Sequence, residues 1–223
     1  MKTVLTFSTL NSHKLPPEFE NDDVRFSDSF AEYFIEFFSK PGDVVFDPFA
    51  GFGTSLFAAE KLKRQAFGIE LLPDRVEYIK RYLKNPAGII NESSLDIDNI
   101  KLPDIDLVLT SPPYMQKINH PEYPFANYQV TGQGYEDYLC DIADIFKQID
   151  KKLKPGAFVI IEVSNLQIND VFTPLAWDIA SSVGLVLNFL QEIIIEWESD
   201  NALAYGFGYD HSYSLIFKSR NKI

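Results

Sequence analysis

Two short stretches of this 223-residue chain carry residue types that can do chemistry together. The first is Asp47-Pro48-Phe49-Ala50-Gly51-Phe52-Gly53-Thr54. Gly51 and Gly53 let backbone come close to a ligand, and Thr54 can cap a following helix. A dinucleotide fingerprint wants a third Gly or Ala three residues after Gly53, but Leu56 stands there, which weakens a nicotinamide reading. The second stretch is Thr110-Ser111-Pro112-Pro113-Tyr114. Its prolines stiffen the backbone and remove two donors. What remains is a set of acceptors, the Ser111 hydroxyl and the carbonyls of Ser111 to Pro113, beside an aromatic ring. Such a set suits a planar exocyclic amine, whose two hydrogens the acceptors hold while its ring stacks on Tyr114. Held that way, the nitrogen lone pair faces an electrophile. The plainer alternatives are a tight glycine turn and a stiff proline loop with no chemistry.

The elements around these stretches decide between the two. Val44-Val45-Phe46 reads as a buried strand, and Leu56, Phe57, Ala59 and Leu62 mark a helix over 54–63. The glycines therefore sit at a strand-to-helix turn, where an open α/β sheet binds nucleotide-like ligands. A second strand, Ala66 to Ile69, ends at Glu70, and Pro73 opens a helix carrying Val76, Ile79, Tyr82 and Leu83. A third strand, Ala87 to Ile90, precedes Asn91-Glu92-Ser93-Ser94. A fourth, Ile105 to Leu109, runs straight into the acceptor stretch. Upstream, Ser27-Asp28-Ser29 starts a helix with Phe30, Tyr33, Phe34, Phe37 and Phe38 on it, closed by Pro41-Gly42. Downstream come a loop over 115–134, a helix from Tyr135 to Leu153, a strand Phe158 to Val163, a helix around 173–183, a strand Leu185 to Trp197 and a last strand Ser212 to Phe217. This alternation predicts an α/β fold: a doubly wound, mostly parallel, seven-stranded Rossmann-like sheet with an antiparallel final strand. Residues 27–223 read as one catalytic domain without a separate target-recognition domain. Residues 1–26, with Pro16-Pro17 and a run of acidic side chains, read as an extended arm or lid and not a core element.

Composition narrows the function classes. The formal net charge is −12, whereas a chain that grips duplex nucleic acid by itself usually shows a basic face. From Asp106 to Asp150 the only cations are Lys117 and Lys147. Positive charge would have to be local, or come from a homodimer or a specificity partner. The single cysteine, Cys140, cannot form an internal disulfide, and it lies in a helical run away from any Pro-Cys turn. Methylation of cytosine C5, which needs an attacking thiolate, is thereby excluded. His13, His120 and His211 lack metal-ligand spacing, so no metal is expected. No signal-like or membrane-length apolar run occurs, and a cytoplasmic protein without membrane contact is the expectation.

Asp47, just before the glycine turn, repels a pyrophosphate but suits a cationic, amino-bearing ligand. S-adenosylmethionine carries a sulfonium and an α-amino group. Glu70, at a strand end, can accept from both ribose hydroxyls, and Glu92 from the adenine amino group. With these residues in place, the chain resembles the S-adenosylmethionine-dependent amino-methyltransferases of DNA, which methylate N4 of cytosine or N6 of adenine. Asp47 to Thr54 is similar to their cofactor motif, Thr110 to Tyr114 to their catalytic motif, and the segment from Phe26 to Asp43 to the helix preceding the cofactor strand in permuted members. The likeness covers roughly residues 26–218.

The resemblance implies S-adenosylmethionine as cofactor and a nucleic-acid substrate, DNA ahead of RNA, in the setting of DNA methylation and restriction-modification. It implies that Asp47, Phe49, Gly51 and Gly53 meet the methionine moiety, with Ala50 and Thr54 in the same motif. Glu70, with Leu71 beside it, would hold the ribose, and Glu92 or Ser93 the adenine. Ser111, Pro112, Pro113 and Tyr114 would be catalytic. Serine in first place is associated in this family mainly with N4-cytosine. Phe52 departs from the pattern, since Ser or Gly is usual there, and its ring either stacks on the cofactor or crowds it. Sequence-specific members usually carry a separate target-recognition region, for which the expected candidates here are only the 115–134 loop, the arm 1–26 and the 199–210 loop. Tyr114, Tyr123, Phe125 and Tyr128 can grip a flipped or single-stranded base, or fold the loop back onto the core. Tyr205-Gly206-Phe207-Gly208-Tyr209-Asp210-His211 can close over substrate or form a plain turn. Two other functions stay open: an RNA amino-methyltransferase acting on guanine N2 or adenine N6, and a catalytically idle subunit that keeps the fold for assembly.

Overall fold

The computed structural model describes residues 2–17, 19, 25–117, 122–126, 129–130, 134–168, 170–198 and 210–220. The chain opens with strand β1 (Val4–Ser8) and helix α1 (Asp28–Phe38). The Ser27 hydroxyl caps α1 by accepting from the Phe30 N–H, and Phe30, Ala31, Phe34 and Ile35 form its buried stripe. Next come β2 (Val44–Asp47), α2 (Thr54–Lys61), β3 (Gln65–Glu70), α3 (Pro73–Tyr82), β4 (Ile89–Asn91) and β5 (Ile105–Thr110). A small hairpin, β6 (Glu122–Tyr123) with β7 (Gln129–Val130), precedes α4 (Tyr135–Asp150). Then follow β8 (Leu153–Val163), a second hairpin of β9 (Leu166–Ile168) and β10 (Val171–Thr173), α5 (Leu175–Gly184), β11 (Asn188–Glu198) and β12 (His211–Lys218).

Eight strands form one sheet in the order β1-β11-β12-β8-β5-β2-β3-β4. Every pairing is parallel except the two made by β12, which runs antiparallel to both β11 and β8. Helices α1, α2 and α3 cover one face, over Val45, Leu107, Leu109 and Ile160. Helices α4 and α5 cover the other, over Phe46, Val108, Val159 and Ile161. The chain winds outward from β2 through β3 to β4, then returns to β5 on the other side of β2. The switch point thus lies at the carboxyl ends of β2 and β5, where the two chemistry-bearing stretches begin.

The class and the antiparallel final strand are as the sequence predicts, but the sheet has eight strands instead of seven. The additional strand, β1, comes from the segment expected to be an arm outside the core. It pairs in parallel with β11, from Val4 opposite Ile194 to Ser8 opposite Glu198. The reason is a period-2 pattern masked by hydroxyl side chains. Leu5 and Phe7 face inward while Val4 and Thr6 face out, and the Phe7 ring lies 5.5–5.6 Å from the rings of Tyr33 and Phe30 on α1. Strand β8 also starts earlier than expected. Pro155-Gly156 does not break it, because Gly156 takes a left-handed conformation (φ 79°) that the strand absorbs.

Gly88, in the turn entering β4, lies against β3 so closely that an added Cβ would stand 2.3 Å from the Ala66 carbonyl oxygen. Backbone cannot give way as a side-chain tip can. Gly88→Ala should therefore cost roughly 1–3 kcal/mol. Urea unfolding measures this, and an unchanged midpoint would contradict the packing described.

Candidate active site

The glycine turn is tied down by one carboxylate. Asp47 ends β2 and is buried, and its Oδ1 accepts from the Phe49 N–H at 3.0 Å and from Thr110 Oγ1 at 2.6 Å. Its Oδ2 accepts from the Ser55 hydroxyl in the first turn of α2. One side chain thus links the turn, the helix after it and the end of β5. Burial pushes the Asp47 carboxyl up to about 6, and these donors hold it partly down. Gly51 and Gly53 have φ of 55° and 85°. An added Cβ on Gly53 would meet Ile79 and Phe57 at 3.0 Å, so that glycine serves the packing of α2 against α3.

Glu70 closes the other side of the turn. Its Oε2 accepts from the Gly51 N–H at 2.9 Å and its Oε1 from the Leu72 N–H at 2.8 Å. Each oxygen keeps a further lone pair. Burial raises the Glu70 carboxyl, opposed by these two N–H groups and by Arg75, while the nearby Asp47 charge adds to the rise.

Both carboxylates line a cleft of about 600 Å³ at the switch point. Of the residues singled out in the sequence, Asp47, Phe49, Ala50, Gly51, Thr54, Glu70, Leu71, Ser93, Ser111, Pro112, Pro113 and Tyr114 line this cleft. Gly53 and Glu92 do not, and Glu92 is exposed. Thr54 does not act as a cap: the helix has no side-chain cap bond, and the Thr54 hydroxyl is buried without a partner. Phe52 is a wall residue. Its ring is 2% exposed, lies under the Arg75 guanidinium at 4.6 Å, and packs against Phe19 and Tyr78 at 5.3 and 5.9 Å. Phe125 is folded back onto the core, between Phe49 and Tyr138 at 5.8 and 5.5 Å. Residues 205–209, Tyr128 and the Tyr123 side chain lie outside the described residues.

The acceptor stretch leaves β5 with its far end anchored. The Pro113 carbonyl accepts from the Tyr138 hydroxyl at 2.9 Å, which fixes that end of the stretch to α4 and uses one of its lone pairs. The Tyr114 hydroxyl accepts from the Ser164 N–H at 2.9 Å and donates toward Glu162 Oε2 at 3.4 Å. Burial first, then the Glu162 charge, raises the Tyr114 hydroxyl well above its usual range, so it stays a neutral donor. Sequence reasoning passed over Glu162, Ser55 and Arg75. Glu162 left a signal, since a carboxylate inside Val159-Ile160-Ile161-Glu162-Val163 is out of place in an apolar strand. Ser55 and Arg75 lie on ordinary helical runs and left none.

Against this geometry, residues 7–81 match the N6/N4 methyltransferase family model, described as DNA methylase. Over that segment the chain is similar to the N4/N6 DNA methylases. The segment takes in the glycine turn and Glu70 and ends before Ser111. Comparison with curated protein sequences gives no match. The fold is similar to TrmN from Thermus thermophilus, with a TM-score of 0.62 and 15% identity over 91% of this chain and 52% of that one. It is similar to a methyltransferase from Pyrococcus furiosus (TM-score 0.57, 15% identity, 88% of this chain and 84% of that one). It is also similar to an rRNA methylase from Streptococcus thermophilus (TM-score 0.53, 9% identity, 86% and 96%). The chain spans about half the length of TrmN. At these identities the likeness is one of fold, the Rossmann-like methyltransferase fold.

The methylase family uses S-adenosylmethionine, and the cleft fits that cofactor. It has the volume of a nucleoside-sized site. It also offers buried acceptors, Glu70 and Asp47, and the unpartnered Thr54 hydroxyl. Two outcomes test the site. Glu70→Ala should weaken S-adenosylmethionine binding in calorimetric titration by about tenfold to a hundredfold. An unchanged affinity would sink the assignment. Asp47 has a folded value of about 6 against an ordinary 3.8, so the folded state binds the proton more tightly. Its contribution is present below the lower value and is lost as pH rises through the upper one, by at most about 3 kcal/mol. Asp47→Asn cannot ionise, and its urea stability relative to wild type should rise across that window. A flat difference would refute the burial argument.

Proposed function

We propose that the protein transfers the methyl group of S-adenosylmethionine to an exocyclic amino group of a nucleic-acid base, with N4 of DNA cytosine ahead of N6 of adenine. The observation that carries this reading is one cleft lined by both the glycine turn with Glu70 and the Ser111-Pro112-Pro113-Tyr114 acceptors. When bound, the cofactor supplies an electrophilic methyl on a sulfonium. The Ser111 hydroxyl and the carbonyls of Ser111 and Pro112 take the two amine hydrogens and turn the nitrogen lone pair toward that methyl. Tyr114 offers its ring to the base while its hydroxyl is pinned from behind. Positioning of this kind is worth several orders of magnitude in rate without a strong base in contact with the amine. Serine in first place supports cytosine.

An RNA amine is the second reading. With a net charge of −12, a splayed single-stranded base suits the chain better than a duplex backbone, and one protein of similar fold is an rRNA methylase. A homodimer or a basic specificity partner would supply the missing phosphate contacts.

Transfer of labelled methyl to DNA and to RNA, followed by nucleoside analysis, tests the proposal. N4-methylcytosine is expected from DNA. Label found only on C5 of cytosine, or only on protein, would overturn the reading, and label only on RNA would replace it with the second. Ser111→Ala should lower kcat by about tenfold to a hundredfold with cofactor affinity kept.

A further inference from the structure

The acceptor stretch is held at both ends. At its entry, Thr110 Oγ1 donates to Asp47 at 2.6 Å. At its exit, the Tyr138 hydroxyl donates to the Pro113 carbonyl at 2.9 Å. Tyr138 lies on α4 and is fully buried. The residues that α4 buries after it, Ile142, Ile145, Phe146 and Ile149, carry no polar side-chain atom. A phenylalanine would fill the same space, so the hydroxyl is what needs a reason. Both prolines fix their own φ, which leaves the stretch free mainly in how its peptide planes turn about ψ. The Tyr138 bond fixes the plane between Pro113 and Tyr114. Tyr114 leaves from that plane, and its hydroxyl accepts from the Ser164 N–H at 2.9 Å. The ring offered to the base is thus held at its root and at its tip. The Tyr138 ring is itself tied to the glycine turn. It stacks on Phe125 at 5.5 Å with 13° between the planes, and Phe125 stacks on Phe49 at 5.8 Å with 25°. The Phe49 N–H donates to Asp47, and Phe49 and Phe125 both line the cleft. The contacts close a circuit: Asp47 to Phe49, across Phe125 to Tyr138, on to Pro113, and back through Thr110 to Asp47.

We propose that Tyr138 is a positioning residue for methyl transfer: through the Pro113 carbonyl its hydroxyl sets the Tyr114 ring and the acceptor carbonyls relative to the glycine turn, with Phe125 as the spacer between them. This rests on the amino-methyl-transfer reading above. The bond needs no contact with the amine, because it acts on the backbone that carries the residues in contact. Loss of the hydroxyl frees the plane between Pro113 and Tyr114 while the α4 core stays filled. A misplacement of about 1 Å in such a site costs about a hundredfold in rate. Loss of the Phe125 ring interrupts the same circuit one step earlier, between Phe49 and Tyr138.

The test is steady-state and single-turnover methyl transfer to the nucleic acid that the wild type labels. Tyr138→Phe keeps the ring and its stack and removes only the hydroxyl. It should lose about tenfold to a hundredfold in kcat and in the single-turnover rate, with calorimetric affinity for S-adenosylmethionine within about twofold of wild type. Tyr135→Phe is the control for a purely structural effect. Tyr135 is one turn earlier on α4, and its hydroxyl donates to Asp178 at 3.0 Å and not to the acceptor stretch. Its kcat should stay within about twofold of wild type. Phe125→Leu keeps an apolar side chain and breaks the stack. It should also lower kcat, and Phe125→Leu with Tyr138→Phe should lose no more than the larger single loss. A wild-type rate in Tyr138→Phe, a defect confined to cofactor affinity, an equal loss in Tyr135→Phe, or losses that multiply in the double variant would each overturn the proposal. Those outcomes leave the amino-methyltransferase reading standing. No transfer by the wild type to DNA or RNA would bring down that reading, and this one with it.

Discussion

The structure depends on keeping one carboxylate buried at the end of β2. An ionised side chain removed from water is tolerable only when donors surround it. Asp47 obtains them from three places: the backbone of its own turn at Phe49, the hydroxyl of Ser55 on α2 and the hydroxyl of Thr110 on β5. Each bond fixes a different element relative to the glycine turn. Thr110 is also the residue before Ser111. The contact that holds the glycine turn open therefore also sets where the acceptor loop leaves the sheet, and the two halves of the cleft are placed by a single group.

That arrangement also fixes the sign of the ligand. Asp47 and Glu70 share one cleft, burial raises both, and the charge of Asp47 raises Glu70 further. Such a pair repels a phosphate and is relieved by a cation. A sulfonium beside an α-amino group relieves it, whereas a pyrophosphate would add to the strain. The absence of a third glycine at Leu56 and the carboxylate at Asp47 point the same way, the first from sterics and the second from charge.

The site was legible in sequence where its chemistry is local in the chain. A strand, a glycine turn and a helix can be read in order, and so can a strand running into Ser111-Pro112-Pro113-Tyr114. Pairings across the sheet were not legible. Strand β1 was missed because its inward residues, Leu5 and Phe7, alternate with Thr6 and Ser8 in a segment otherwise polar, and its partner β11 lies nearly the whole chain away. Nothing near Pro113 in the chain shows that Tyr138, on α4, donates to its carbonyl. Phe52 looked like an intruder on the cofactor. Its ring fills a space that Arg75 and Phe19 close from outside, so the departure from the usual small residue has its compensation elsewhere in the fold.

Glu162 shows the same limit more sharply. In the strand Val159 to Val163 it reads as one polar position among apolar ones, and nothing nearby in sequence says what it faces. The sheet order places β8 between β5 and β12, so Glu162 has the acceptor loop on one side and Ser214 on the other. A central strand of a doubly wound sheet is an expensive place for a carboxylate that only stabilises the fold, since an apolar residue of similar size would pack there at lower cost. At the carboxyl end of the strand Glu162 has the Tyr114 hydroxyl within reach at 3.4 Å, so the acceptor stretch and the buried carboxylate are held against each other across the sheet.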